Sequence, residues 1–107
     1  MPILHSVKGI LIYMIQLLPQ IETLIPTSAN PTDAIEQINS YIENYHCEIL
    51  NIDISHMNTL DACRVSTLCS TVHYLKYPQG KIEWIVSSHL VKEFNKNLEL
   101  GNSEYFL

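Results

Sequence analysis

The sequence predicts an α/β protein with a mostly parallel sheet, and three observations support that prediction. Short runs rich in β-branched and aromatic residues alternate with longer amphipathic segments, which is typical of strand–helix–strand units. Helix-start signals precede the amphipathic segments. At 107 residues, the chain has the length of one domain, spanning 1–107. We therefore expect four to five strands, mostly parallel, with about three helices packed against the sheet.

Residues 1–30 contain two strand candidates. The apolar run Ile10–Leu18 has the length of a buried strand, although a helix remains an open alternative. The run is too short to cross a membrane and lacks the flanks of a signal peptide, so we interpret it as core and expect no membrane insertion. A second strand candidate begins at Ile21 and is stopped at Pro26.

A first helix is predicted to begin after Asn30. Asn30 can act as the N-cap, Pro31 suits the first helical position, and Asp33 complements the positive end of the helix dipole. Apolar residues then recur at helical spacing and form one stripe, which predicts an amphipathic surface helix: Ile35, Ile38, Ile42 and Tyr45.

The next unit is a central strand followed by a second helix. Residues Cys47–Ile54 mix an apolar run with alternation, which suits a strand covered by helices. We expect Asp61 to be the N-cap of the helix, which ends near the turn Tyr77–Gly80. Its expected core-facing residues are Val65, Leu68, Cys69, Val72 and Leu75.

The last unit repeats this pattern. A strand is predicted over Lys81–Ser87, with Trp84 packed under a helix, and Ser88 caps a third helix that Gly101 follows as a C′ residue. The apolar residues of this helix are Leu90, Val91, Phe94 and Leu98. Residues Tyr105–Leu107 suit a short edge strand or a hydrophobic clip.

The charge balance argues against nucleic-acid binding. Six Lys or Arg residues stand against eleven Asp or Glu residues, giving a net charge of −5. The basic residues form no cluster, and Arg64 is the only arginine. A nucleic-acid interface requires a basic stripe to neutralise phosphates, so we expect no nucleic-acid partner.

The sequence contains no pattern typical of a metal or nucleotide cofactor. The three cysteines, Cys47, Cys63 and Cys69, lack CxxC spacing, which favours reduced thiols in a cytoplasmic protein. The histidines show no HxxxH or HxH spacing, and the glycines form no phosphate-binding loop. We expect Asp53 to find backbone N–H or hydroxyl partners rather than to act as an acid or base.

The chain resembles a STAS domain, the family of sulphate-transporter tails and anti-sigma factor antagonists. Members have a strand ending Leu-Asp-Leu-Ser and an Asp-Ser-Ser-Gly at the next helix start. Here Ile52–Ser55 matches the first motif, and Leu60-Asp61-Ala62-Cys63 occupies the second. The two aspartates, Asp53 and Asp61, are eight positions apart, as in the family. The match covers residues 47–107, whereas the first 30 residues, and 1–18 in particular, match loosely.

The chain departs from the family at the switch position. In switchable members, a partner kinase phosphorylates the serine after the loop aspartate. Ala62 stands there in this chain, followed by Cys63, and Arg64 replaces the small glycine. Since Ala62 has no hydroxyl, the resemblance implies a regulatory module without the usual serine phosphorylation switch.

The resemblance implies a non-catalytic module that binds a partner protein, such as an anti-sigma-type serine kinase. Its expected surface is the loop before the second helix and the exposed side of that helix: His56, Asn58, Thr59, Asp61, Ala62, Cys63, Arg64, Ser66 and Thr67. An alternative is a thiol-dependent or small-ligand-binding protein that uses Cys63, activated by the helix N-terminus. A homodimer is a third alternative.

Overall fold

The computed structural model describes residues 21–96 and 101–107. In chain order they form β1 (Ile21–Leu24), α1 (Pro31–Asn44), β2 (Ile49–Asp53), α2 (Thr59–Lys76), β3 (Lys81–Ile85), α3 (His89–Asn95) and β4 (Ser103–Phe106). The predicted strand Ile10–Leu18 and the helical position of Leu98 lie outside the described residues.

The described strands form one parallel sheet, which confirms the predicted fold class. Its order is β1-β2-β3-β4, and each strand pairs in parallel with the next one in the chain. The first helix contacts the second and the second contacts the third, which is expected when the crossovers all have the usual right-handed sense and the helices share one face of the sheet. Among the described strands β4 lies at an edge, so of the two alternatives for Tyr105–Leu107 the structure shows the strand.

The core lies between this face and the helices. Leu50 and Ile52 of β2 are fully buried, and so are Ile82 and Trp84, which pair with them in β3. The indole Nε1 of Trp84 donates a hydrogen bond of 2.8 Å to Ser70 Oγ on α2, so the predicted position of Trp84 under a helix is confirmed.

Helix α1 follows its sequence signals closely. Asn30 Oδ1 accepts hydrogen bonds from the backbone N–H groups of Thr32, at 2.9 Å, and Asp33, at 3.3 Å. Ile38 and Ile42 are buried, whereas Tyr45, predicted to extend the stripe, is the exposed C-cap residue. Helix α2 supports the other end of α1, because Lys76 Nζ donates to the carbonyl oxygens of Ile42 and Glu43.

Helix α3 is described over His89–Asn95, and the rest of the predicted helix, residues 97–100, lies outside the described residues. Ser88 caps it by accepting a hydrogen bond of 3.1 Å from the Leu90 backbone N–H. Val91 and Asn95 are buried, while the apolar residues Leu90 and Phe94 are exposed. Two turns of helix can place only one narrow face against the sheet, and here that face carries Asn95.

Candidate functional site

The candidate site begins where the chain leaves β2 at its carboxyl end. Asp53, the last residue of β2, accepts hydrogen bonds from the backbone N–H of Ser55, at 2.9 Å, and from Ser55 Oγ, at 2.6 Å. The Ser55 hydroxyl bond, followed by the backbone bond, lowers the pKa of the Asp53 carboxyl. The expectation that Asp53 has a backbone and hydroxyl partner is confirmed, and its carboxylate shapes the turn toward α2.

The N-cap of α2 is Asn58, so the prediction that Asp61 caps this helix is wrong. Asn58 Oδ1 accepts a hydrogen bond of 2.9 Å from the Asp61 N–H, and Asn58 Nδ2 donates one of 3.1 Å to Asp61 Oδ2. The helix begins at Thr59, which puts Asp61 at the third helical position. There its carboxylate completes a reciprocal cap and complements the helix dipole.

Three residues predicted for the partner-binding surface face the core instead. Ala62, Cys63 and Ser66 are buried, because the inner side of α2 consists of small side chains that let the helix pack close to the sheet. Ser66 Oγ donates to the Cys63 carbonyl and accepts a hydrogen bond of 2.8 Å from Asn95 Nδ2. A partner at the surface cannot contact these three side chains.

The environment of Cys63 is the opposite of what a reactive thiol requires. Cys63 is 4% exposed, and burial raises the pKa of its thiol. Activation by a helix N-terminus would lower that pKa. Cys69, on the same inner side, is fully buried, and burial raises its pKa to about 12. Nothing in this geometry favours the thiol-dependent alternative, whereas the expected core position of Cys69 is confirmed.

Six of the predicted residues remain accessible around the start of α2. His56, Asn58 and Arg64 are exposed, and Thr59, Asp61 and Thr67 are half-buried. Asn58 and Asp61 are engaged in the cap, and Thr67 Oγ1 donates a hydrogen bond of 3.1 Å to Asn95 Oδ1 on α3. Of these six residues, His56 and Arg64 are therefore the ionisable ones that take part neither in the cap nor in the bond between the two helices.

The sequence prediction missed a row of exposed leucines on the outer side of α2. Leu60, Leu68 and Leu75, which we name the leucine ridge, are 78%, 46% and 74% exposed. Leu68 and Leu75 were predicted to face the core, and that prediction is wrong. Helix α2 has apolar residues on both its inner and its outer side. The prediction included Leu68 and Leu75 on the outer side because leucine is larger and more apolar than the small residues of the inner side.

A sequence signal for the true inner side does exist. Small residues and one histidine recur at helical spacing and mark the buried side: Ala62, Cys63, Val65, Ser66, Cys69, Ser70 and His73. Hydrophobicity alone gives this side little weight, because its serines and histidine are polar and their hydrogen bonds to other elements are not visible in the sequence. Ser70, for example, accepts its hydrogen bond from Trp84, which lies fourteen positions further along the chain.

Helix α3 adds two exposed apolar residues beside the start of α2. Leu90 is 55% exposed and Phe94 is 68% exposed, one helical turn apart. Phe94 directly precedes Asn95, whose amide contacts Ser66 and Thr67, so this end of α3 lies against α2. The β2–α2 loop also contacts the start of α3, because Ser87 Oγ donates to the Met57 carbonyl.

The described residues include no group of three or more histidine, cysteine or acidic side chains that could hold a metal ion. Within residues 21–96 and 101–107, no helix has the length and apolar character needed to cross a membrane. Compared with known proteins, the chain matches no family model, no curated protein and no solved structure.

Proposed function

We propose that this protein is a non-catalytic, cytoplasmic interaction module of STAS-like fold. It binds a partner protein through the β2–α2 loop and the exposed side of α2. The observation that carries the proposal is the set of large apolar side chains exposed on α2 and α3, two helices that contact each other: Leu60, Leu68, Leu75, Leu90 and Phe94. Large apolar residues exposed together on neighbouring elements mark interaction sites in monomeric proteins.

The polar residues of the loop would give this binding its specificity. His56 and Arg64 are exposed, while the reciprocal cap between Asn58 and Asp61 fixes the loop that carries His56. A preorganised loop loses less conformational entropy on binding than a mobile one. The resemblance to STAS domains suggests a regulator such as an anti-sigma-type serine kinase as the class of partner.

Binding would not be controlled by phosphorylation at the family's usual position. Ala62 occupies that position, lacks a hydroxyl and is buried under the helix. A phosphate at the surface of α2 would therefore have to be placed on another residue. The proposed module is constitutive in this respect and would bind its partner without the usual serine switch.

Site-specific photo-crosslinking tests the proposal. A benzophenone amino acid replaces His56 in one variant and Glu36, an exposed residue of α1, in a matched control. In the source cells, we expect position 56 to give a discrete adduct that excess unlabelled wild-type protein suppresses. Adduct formation at position 36 equal to that at position 56, or none at position 56, would contradict the proposal.

A further inference from the structure

We propose that the leucine ridge, together with Leu90 and Phe94, is a docking surface for an amphipathic helix whose apolar stripe is flanked by acidic residues. This inference rests on the proposed function and specifies the chemistry of the partner. In this inference the main contact is the outer side of α2. The ridge leucines there were not among the residues that the sequence predicted to bind a partner.

The spacing of the outer residues suits a helical partner. Arg64, Leu68, Thr71 and Leu75 follow one another at intervals of four, three and four residues, the spacing of a helix–helix seam. From Leu60 to Leu75 the ridge extends for about 22 Å, at about 1.5 Å per residue, which matches roughly four turns of a partner helix. A second helix can thus contact the ridge along its whole length.

The neighbouring helix widens this surface. Leu90 and Phe94 are exposed on α3, and the bonds of Asn95 to Ser66 and Thr67 hold that helix against α2. Exposed apolar residues on two packed helices form the two sides of a shallow groove. Amphipathic helices bind such grooves with anchors spaced three or four residues apart.

Charge complementarity selects an acidic partner. Arg64 lies within the ridge and forms no ion pair with any residue in the described part of the chain. The other charges of α2 are engaged, Asp61 with Asn58 and Lys76 with carbonyl oxygens of α1. Helix α3 contains Lys92 and Glu93, and Lys96 follows as its C-cap residue. By contrast, α1 contains only acidic charges: Asp33, Glu36 and Glu43. An acidic helix would be attracted to α2 and α3 and repelled by α1.

Pairing of α2 with the α2 helix of a second copy, in register about Leu68, does not supply a carboxylate to Arg64. In an antiparallel pairing of two α2 helices centred on Leu68, each Arg64 lies opposite Val72 of the other copy. In a parallel pairing, the two Arg64 side chains face each other and repel. Because neither arrangement gives Arg64 an acidic partner, the surface fits a different, acidic helix better than a twin.

The probe for the test is a fluorescent 18-residue helical peptide designed with leucines at seam spacing and flanking glutamates. A second peptide carries lysines in place of the glutamates. We expect the glutamate peptide to bind the wild-type chain more tightly in fluorescence anisotropy. Arg64→Glu should weaken that binding about tenfold and strengthen the lysine peptide's binding, since like charges at an interface disfavour a partner.

Leu68→Gln should weaken binding of both peptides about tenfold by removing the central apolar contact. Ile25→Gln is the matched control, because Ile25 is an exposed apolar residue at the end of β1, away from α2, and its variant should bind like the wild type. Urea unfolding of each variant shows whether it is folded; Leu68 is exposed on its helix, so its variant should keep the wild-type midpoint.

Two results would overturn the inference. One is equal binding of both peptides that Arg64→Glu and Leu68→Gln leave unchanged. The other is a wild-type dimer in light scattering that Leu68→Gln converts to a monomer, which would make a second copy the occupant. If position 56 forms its crosslink and either of these results is obtained, the acidic helix is rejected as the occupant, while the proposed function is not contradicted. Specific peptide binding without that crosslink would instead reject the loop contact of the proposed function.

Discussion

At the scale of single residues, His73 connects three separate parts of the chain. Its Nε2–H donates a hydrogen bond of 2.8 Å to the Cys47 carbonyl, and its Nδ1 accepts one of 3.2 Å from Asn102 Nδ2. The ring is fully buried, and this burial lowers its pKa below the ordinary value of 6.5. The bond from Asn102 requires an unprotonated Nδ1, so the folded protein holds His73 neutral.

The lowered pKa of His73 predicts a loss of stability on mild acidification. Below about pH 6.5 His73 is protonated in the unfolded chain but stays neutral in the folded chain. The free energy of unfolding therefore falls as the pH decreases toward the folded-state pKa. Above that range His73 contributes no pH dependence. Urea unfolding at intervals from pH 8 to pH 5 measures the slope, and His73→Gln should reduce it.

Nuclear magnetic resonance gives an independent check that does not depend on the variant folding. The ring protons of His73 should titrate with a midpoint below 6.5 in the native protein. A midpoint at or above that value would contradict the neutral, buried imidazole, whatever the slope of the unfolding data.

Gly80 lies where no side chain can fit. A Cβ at this position would stand 2.5 Å from the Glu48 carbonyl oxygen, 2.8 Å from Tyr77 Cβ and 3.1 Å from His73 Cε1. Gly80→Ala should therefore lower the free energy of unfolding by about 1–3 kcal/mol, since the backbone at Glu48, just before β2, must shift to admit the methyl group. Urea unfolding measures the loss.

Gly101→Ala is the matched control for this substitution. A Cβ at Gly101 would have no atom within 4 Å among its neighbours, so this variant should unfold close to the wild-type midpoint. An equal loss in both variants would show that the cost at position 80 comes from the removal of glycine in general rather than from the contact with Glu48.

At the scale of secondary-structure elements, the start of α2 depends on one side chain. Asn58→Ala removes the acceptor of the Asp61 N–H and should cost about 1 kcal/mol in the free energy of unfolding. Asn58→Ser retains a capping oxygen and should cost much less. Thermal unfolding followed by circular dichroism compares the two; equal losses would argue against the cap as the cause.

The last helix and the last strand are attached to α2 by one buried amide. Asn95 Nδ2 donates hydrogen bonds of 2.8 Å both to Ser66 Oγ and to the Tyr105 hydroxyl, and Asn95 Oδ1 accepts one of 3.1 Å from Thr67. These bonds join α2, α3 and β4 at a single point. Tyr105 and Ser66 have their polar atoms turned into the interior to reach it.

Asn95→Ala should lower the free energy of unfolding by about 2 kcal/mol, because it removes the three hydrogen bonds that this amide makes at a buried site. Thr67→Val removes only one of these bonds at a half-buried site and should cost less than half as much. Denaturant unfolding measures both. If the two variants lose equal stability, the amide does not organise the three elements in this way.

The elements also show what sequence patterns can predict. α1, β2 and β3 were predictable because a cap or a turn bounds each one and a single apolar pattern fills it. The buried face of α2 was not, since Ser66, Ser70 and His73 are bonded to partners on other elements that the sequence does not reveal. For the same reason three members of the predicted partner-binding surface, Ala62, Cys63 and Ser66, were assigned to the wrong side of the helix.

At the scale of the whole molecule, the strand order makes β2 and β3 the inner strands of the described sheet. Each of them pairs with a neighbour on both sides, whereas β1 and β4 lie at the edges. Amide hydrogen exchange should therefore be slowest in β2 and β3, at Ile52 and Trp84 among others, because their exchange requires global unfolding. Faster exchange there than in β4 would contradict this strand order.

The position of Trp84 has a practical consequence for every experiment described above. It is the sole tryptophan of the chain, it is fully buried, and its ring nitrogen is bonded to Ser70. Its fluorescence in the native protein arises from a dry, apolar environment and should move to longer wavelengths once water reaches the indole. Cooperative loss of the tertiary structure can thus be followed optically, without attaching any dye.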